Sequence, residues 1–325
     1  MRVVRVGVIG CGSIARAVHL PVLRRLTGVA LTALADPDPT ALEAARRATP
    51  GARLCRDAAE LLAREDLDAV VVTAPSGLHA ELAAAVADAG RHLYLEKPLA
   101  TTRADGELVV EAARKAGIVA TIGFNRRFHP AMRRARSVVR AGGIGRVTRV
   151  STTFTEPTSV LPGWKSVRAD GGGALLDLAS HHVDLVRFLL ETEVEDVSAD
   201  VSSSRSEHDG AILQLRLAGK AEAELQVGFR SPQVDVLELA GPLGTIRIDR
   251  HAGRVTRRPE RLAVTRDLVL LRLRLLARPG SDPSYALALR AFFARVRGED
   301  VELPTLEDGL ASLIVVLAAE EAAAG

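Results

Sequence analysis

The chain has 325 residues, 47% hydrophobic, 26% charged and 3% aromatic, a mixture that builds buried cores, excludes wholesale disorder and is long enough for two domains. Lys and Arg number 43 against 40 Asp and Glu, a net charge of +3, so neither nucleic acid nor an anionic surface is demanded as a partner. Two cysteines, Cys11 and Cys55, exclude a disulfide framework and a four-thiolate zinc site. No run approaches the roughly 20 apolar residues of a membrane span, and the opening MRVVRVGVIG leaves no room for a signal peptide, so a cytoplasmic protein is expected.

From residue 2 to about 122, short apolar runs alternate with helical patterns, the signature of an α/β fold with a parallel sheet. Residues 3–9, 29–35, 69–73, 92–95 and 118–122 read as strands. Residues 14–26, 40–47, 78–89 and 103–116 read as helices. The first strand runs into Gly10-Cys11-Gly12-Ser13-Ile14-Ala15, where a strand turns sharply into a helix. Gly10 permits the turn, Gly12 lets the backbone approach a pyrophosphate, and Ala15 lets the helix pack on the strand. Ser13 and Ile14 open a helix whose free N–H groups face the anion. Asp36 follows Ala15 by 21 residues at the end of the second strand, where its carboxylate accepts the adenosine ribose hydroxyls. Pro37 and Asp38 supply no cation for a 2′-phosphate, so NAD is favoured over NADP. Ala74, Pro75 and Glu96 are read as further cofactor contacts. His79 either contacts the cofactor or caps the next helix.

Glu96-Lys97-Pro98 follows the strand at 92–95 and puts a lysine at the edge of the sheet where the cofactor loop lies. Its ammonium can stabilise oxyanion character on a substrate alcohol or carbonyl as hydride moves; the blander alternative is a surface Lys–Glu pair. Residues 126–140 read as a helix, and strand-like runs follow at 147–154, 194–201, 211–217, 222–229, 234–240 and 245–248. A helix at 174–190 interrupts them, entered through Gly171-Gly172-Gly173. Asp177, His181 and Asp184 fall on one face of that helix, with His182 pointing elsewhere. His181 suits carrying the alcohol proton and Asp177 suits orienting it; a zinc site is the competing reading, and no second cluster supplies further ligands. Trp164, Lys165 and Arg168 form either a substrate loop or a packed tryptophan with solvated cations. Nine arginines between Arg250 and Arg278, interleaved with leucines, read as a solvated face or a subunit contact. Helices at 285–296 and 306–323 close the chain.

The glycine loop, Ala35-Asp36, Ala74-Pro75-Ser76 with His79, Glu96-Lys97-Pro98-Leu99, Gly123-Phe124-Asn125-Arg126-Arg127-Phe128 and the Asp177/His181 helix together resemble the glucose–fructose oxidoreductase / inositol dehydrogenase (Gfo/Idh/MocA) family. The resemblance implies an N-terminal Rossmann domain over residues 1–122. Residues 123–325 would then be a substrate-binding and oligomerisation domain, α/β with an open, largely antiparallel sheet, the active site lying between the two. It makes Lys97, Asp177 and His181 the catalytic residues, puts Asn125 beside the nicotinamide, and offers Arg127 and Asp184 for holding substrate hydroxyls or organising the pocket. The implied activity is NAD-dependent interconversion of a secondary alcohol and ketone on a sugar, cyclitol or related polyol by a homodimer or homotetramer. Leu178, where some cyclitol-binding members carry a polar residue, weakens an inositol assignment. NAD-recycling elimination or glycoside hydrolysis, and a non-catalytic NAD-binding regulator, are the alternatives.

Overall fold

The computed structural model describes residues 2–64, 66–157, 163–168, 171–229, 232–260, 262–277 and 282–324. By packing, the chain divides into one unit of residues 1–124, 169–171 and 285–313, and a second of 125–168, 172–284 and 314–325.

The first unit is built on a six-stranded sheet in the order β3-β2-β1-β4-β5-β6: β1 (Val4–Ile9), β2 (Val29–Ala35), β3 (Arg53–Cys55), β4 (Ala69–Val72), β5 (His92–Leu95) and β6 (Ala120–Ile122). Every pairing in it is parallel. The wholly buried Ala-Val-Val-Val of β4 reads as it does because helices cover both faces of such a sheet. The crossover helices are α1 (Leu20–Leu23), α2 (Pro39–Ala48), α3 (Ala58–Leu62), α4 (His79–Asp88) and α5 (Arg103–Ala116). Asp38, Asp57 and Thr102 cap α2, α3 and α5 by accepting a main-chain N–H, and Gly117 ends α5 in the left-handed conformation (φ 61°).

The helix after the glycine loop differs from the sequence expectation. Residues Ala15–His19 form a π turn in which Leu20 N–H bonds the Ala15 carbonyl five residues back. Pro21, two residues beyond His19, has no N–H to donate, and its ring crowds the carbonyl four residues before it. The wider turn relieves that crowding.

Tyr285–Leu313 pack with the first unit, whereas the sequence puts everything after residue 122 into the second. Thr121 Oγ1 donates to the Pro304 carbonyl at 2.6 Å, and Phe292, in α9 (Ser284–Val296), lies edge-on to Tyr94 at 5.8 Å. Gly106 of α5 has no side chain because Leu310 and Leu313, in α10 (Leu306–Ala324), lie 3.0 Å from where a Cβ would sit.

The second unit carries a seven-stranded sheet in the order β13-β12-β11-β7-β10-β9-β8: β7 (Arg149–Thr155), β8 (Val194–Ser202), β9 (Gly210–Leu217), β10 (Glu222–Gly228), β11 (Val234–Gly241), β12 (Gly244–Asp249) and β13 (Arg254–Arg258). The β7–β10 pair is parallel and the rest are antiparallel. Alternation decides its faces: Phe154, Leu213, Leu225 and Leu237 are buried, while Arg149, Gln214 and Glu224 face outward. Helices α6 (Pro130–Arg140) and α7 (Ser180–Leu190) complete this unit with α8 (Arg266–Ala277). Only Leu268 and Leu271 of α8 are buried, and Val269, Leu270, Leu273 and Leu276 stay exposed. No helix among the described residues is long and apolar enough to cross a membrane.

Candidate active site

Ile9, Val72, Leu95 and Ile122 are level across β1, β4, β5 and β6. The Gly10 loop, the Thr73-Ala74-Pro75 turn and Glu96-Lys97 therefore all leave the same carboxyl edge of the sheet, where open α/β sheets take their ligands. Gly10 sits at φ +92°, and a Cβ there would lie 2.6 Å from the Ala74 nitrogen, so only glycine fits. Around Gly12 a Cβ would meet nothing within 4 Å, the room a pyrophosphate needs against the backbone. Asp36 Oδ2 accepts Cys11 N–H at 2.6 Å and Oδ1 accepts Asp38 N–H at 2.9 Å. The carboxylate thus shapes the loop and keeps lone pairs for ribose hydroxyls. Arg16 NH1 donates to the Cys11 carbonyl at 3.1 Å, a cation at the loop that the glycine pattern does not announce. Burial, with the nearby Asp36 charge, pushes the Cys11 thiol up to about 12, so it is no nucleophile.

These residues fit a dinucleotide, and Asp36 fits one without a 2′-phosphate. Asp36→Ala is expected to weaken NADH binding about 10- to 100-fold, since a hydrogen bond to a charged group contributes about 1.5–3 kcal/mol. Fluorescence titration of NADH checks this, and an unchanged Kd would contradict it.

Two residues read from sequence as cofactor contacts have other duties. His79 is wholly buried, its Nδ1 2.7 Å from the Pro98 carbonyl and its Nε2 3.0 Å from that of Ala74. The ring ties the two turns together, and the cap residue of α4 is Leu78. Burial, opposed by those two carbonyls, holds its pKa below the usual imidazole value. Glu96 turns inward: Oε1 lies 2.8 Å from His19 Nε2 and Oε2 accepts Lys97 N–H at 3.2 Å.

In the second unit, Asp177 lies in another π turn, Leu175–Ala179, which precedes α7. Three backbone bonds fix its entry: Gly172 N–H to Val167, Gly173 N–H to Lys165 and Ala174 N–H to His208. The π turn replaces the regular α-helical face on which the sequence puts Asp177 over His181. Both are buried. Asp177 Oδ2 accepts from Lys165 Nζ at 2.6 Å, a charged partner that sequence spacing gave no means of choosing. The His181 ring lies edge-on to Phe154 at 6.3 Å.

Arg127 and Asp184, expected to hold substrate hydroxyls, hold each other. Arg127 Nε donates to both carboxylate oxygens, at 3.1 and 3.0 Å, and NH2 donates to Oδ1. Arg168 likewise forks onto Glu320 at 2.7 Å from both Nε and NH2, so it is not a solvated cation waiting for a ligand. Trp164 belongs to a 3-10 turn, Gly163–Ser166, and its side chain lies outside the described residues. Asn125 Nδ2 donates to Ser284 Oγ at 2.6 Å, and its buried Oδ1 has no hydrogen-bond partner among the described residues.

Sequence reasoning missed a network around the buried Asp235. Asp235 lies 2.7 Å from Arg126 NH1 and 2.5 Å from Arg250 Nε, and Arg250 NH1 reaches Asp282 at 2.6 Å. Arg126 NH1 also lies 3.0 Å from His182 Nε2, which is 3.5 Å from Asp235 Oδ1. Burial, opposed by Asp235, holds the His182 pKa below the usual imidazole value. Arg250, grouped from sequence with a solvated arginine face, has a side chain only 10% exposed; Arg261 and Arg278 of that group lie outside the described residues. No cluster of three or more metal-binding side chains occurs among the described residues.

The Gfo/Idh/MocA family model for the NAD-binding Rossmann fold matches residues 4–124, and the model for the family's C-terminal domain matches residues 132–247. The chain belongs to the Gfo/Idh/MocA oxidoreductase family. It is 32% identical over 249 residues to myo-inositol 2-dehydrogenase of Thermotoga maritima, covering 76% of this chain and 69% of the relative. It is 30% identical over 332 residues to 1,5-anhydro-D-fructose reductase of Ensifer adhaerens, covering 98% and 96%. Among solved structures it is similar to the WlbA dehydrogenase of Bordetella pertussis in complex with NADH and UDP-GlcNAcA, with a TM-score of 0.84 and 28% identity over 99% of this chain and 97% of that one. As a member of this family the protein is an NAD-dependent oxidoreductase.

Proposed function

We propose that this oxidoreductase interconverts a secondary alcohol and a ketone on a sugar, cyclitol or related polyol, the first unit holding NAD and the second the substrate. The observation that carries the reading is the lysine at the cofactor edge of the sheet: Lys97 leaves β5 level with the Gly10 loop. In the oxidation direction His181 takes the hydroxyl proton as the carbinol C–H bond breaks. Lys97 donates a hydrogen bond to the same oxygen and stabilises the charge that develops on it. Asp177, its carboxylate paired with Lys165, orients the imidazole. NAD, when bound, supplies the hydride acceptor, and NADH the donor in reverse. Support for the substrate class comes from the relatives' names, which include myo-inositol 2-dehydrogenase, 1,5-anhydro-D-fructose reductase and D-apiose dehydrogenase.

The protein acts in the cytoplasm as a homodimer or homotetramer, and light scattering of the full chain checks the assembly. Substrate class is tested with myo-inositol, scyllo-inositol, levoglucosan and D-apiose plus NAD, and 1,5-anhydro-D-fructose plus NADH, followed by cofactor absorbance. Turnover of at least one is expected. Product without net NADH would overturn the dehydrogenase reading in favour of NAD-recycling elimination or hydrolysis, and failure of the whole panel would overturn the substrate class.

A further inference from the structure

We propose that His19 is a positioning residue for Lys97, acting through the Glu96 carboxylate; this rests on the reading of Lys97 as the group that stabilises the substrate oxygen. His19 is wholly buried at the end of the π turn that succeeds the glycine loop. Adding one residue to a helical turn rotates the chain beyond it by about 100°. The wider turn that Pro21 imposes therefore sets which way His19 faces. Its Nε2 meets Glu96 Oε1 at 2.8 Å, and the other oxygen of that carboxylate accepts the main-chain N–H of Lys97.

The rest of the pocket leaves the carboxylate little freedom. A Cβ on Gly123 would lie 3.0–3.1 Å from its three atoms, so β6 ends in a bare backbone against its face. Tyr94 and Tyr285 present ring edges to His19, both at 5.8 Å. Burial works against the Glu96 charge, but the His19 hydrogen bond and the nearby His19 and Lys97 charges outweigh it and hold its pKa below the usual value. A buried carboxylate with few donors loses its orientation when one goes. The Lys97 side chain starts from the peptide that this carboxylate grips, so the helix of the cofactor loop and the base of the lysine are joined by two hydrogen bonds.

A double-mutant cycle on the full-length enzyme tests this, using the panel compound turned over fastest. His19→Leu is expected to lower kcat about 10- to 100-fold, the scale of a small misplacement of a catalytic group, with the Kd for NADH unchanged. His19→Gln, which keeps an N–H donor, is expected to recover most of the loss. In a Lys97→Met background His19→Leu is expected to change kcat by less than about twofold, because it acts only through the missing ammonium. An equal loss in both backgrounds would overturn the positioning role and leave the catalytic reading standing. A wild-type rate for Lys97→Met would instead overturn the catalytic reading. A crystal structure of His19→Leu with NADH gives a readout without turnover: the Glu96 carboxylate should leave the Lys97 N–H, and an unchanged contact would contradict the proposal. If His19→Leu does not fold, Glu96→Gln carries the same cycle.

Discussion

His181→Ala lowers kcat by about 10²- to 10⁴-fold, the range contributed by a positioned acid–base group, while NADH binding and the thermal midpoint change little. The side chain is buried beside Phe154 on the helix that comes after Asp177, and two other imidazoles of the second unit, His182 and His129, are buried core groups. His182 Nε2 faces Arg126 and Asp235, and burial holds the His129 pKa down to about 4, leaving that ring a neutral core group. Steady-state kinetics on the reactive panel compound provide the check. A kcat within about threefold of wild type would remove His181 from the mechanism, since the loss of a general acid–base is far larger.

Asp235→Ala costs about 3–5 kcal/mol of stability, the usual penalty for removing one partner of a buried ion pair. Asp235 is wholly buried between Arg126 and Arg250, so the alanine removes the carboxylate that the two guanidinium groups share. Burial would raise the Asp235 pKa, but the two arginines outweigh it and hold the carboxyl well below its usual range. The unfolded state binds more protons than the folded one below about pH 4, so this stabilisation is present above that pH and is lost as pH falls further. His129 adds to the acid side: with its pKa lowered by burial from 6.5 to about 4, stability falls as pH drops from 6.5 towards 4. Urea unfolding at pH 7.5, 5 and 3.5 should show progressive loss in the wild type. In Asp235→Ala the midpoint should be low throughout, with a weaker dependence between pH 5 and 3.5. An unchanged midpoint for the variant at pH 7.5 would contradict the account.

Strands buried on both faces, such as Val-Val-Val in β4, and alternating ones, such as Leu213 to Leu217 in β9, are visible in the sequence because burial writes a period into them. β3 is three residues long and begins with an exposed arginine, and β13 reads Arg-Val-Thr-Arg-Arg, so neither carries an apolar pattern. The helix α8 hides because its leucines outnumber the two buried positions. The places of the glycine loop, Asp36 and Lys97 at the carboxyl edge of the first sheet are legible because local motifs specify them, whereas the π turn that carries Asp177 is not. Nor are the partners that polar side chains meet across elements. His79 and Glu96 were read as cofactor ligands and Arg127, Asp184 and Arg168 as substrate ligands because each is polar and near a motif, yet every one is engaged by a group distant in sequence. The same blindness hid the Lys165–Asp177 pair, the His19–Glu96 contact and the Arg126–Asp235–Arg250 network, whose members come from separate elements. The π turns escaped too; Pro21 was the one visible signal.

The most direct test of the account traces the hydrogen itself. The reactive polyol, deuterated on its carbinol carbons, is incubated with the full-length enzyme and NAD, and cofactor and product are analysed by mass spectrometry. Hydride transfer with net oxidation predicts one deuterium in each NADH formed and one NADH for each ketone. Product formed while the cofactor stays oxidised and unlabelled would contradict it.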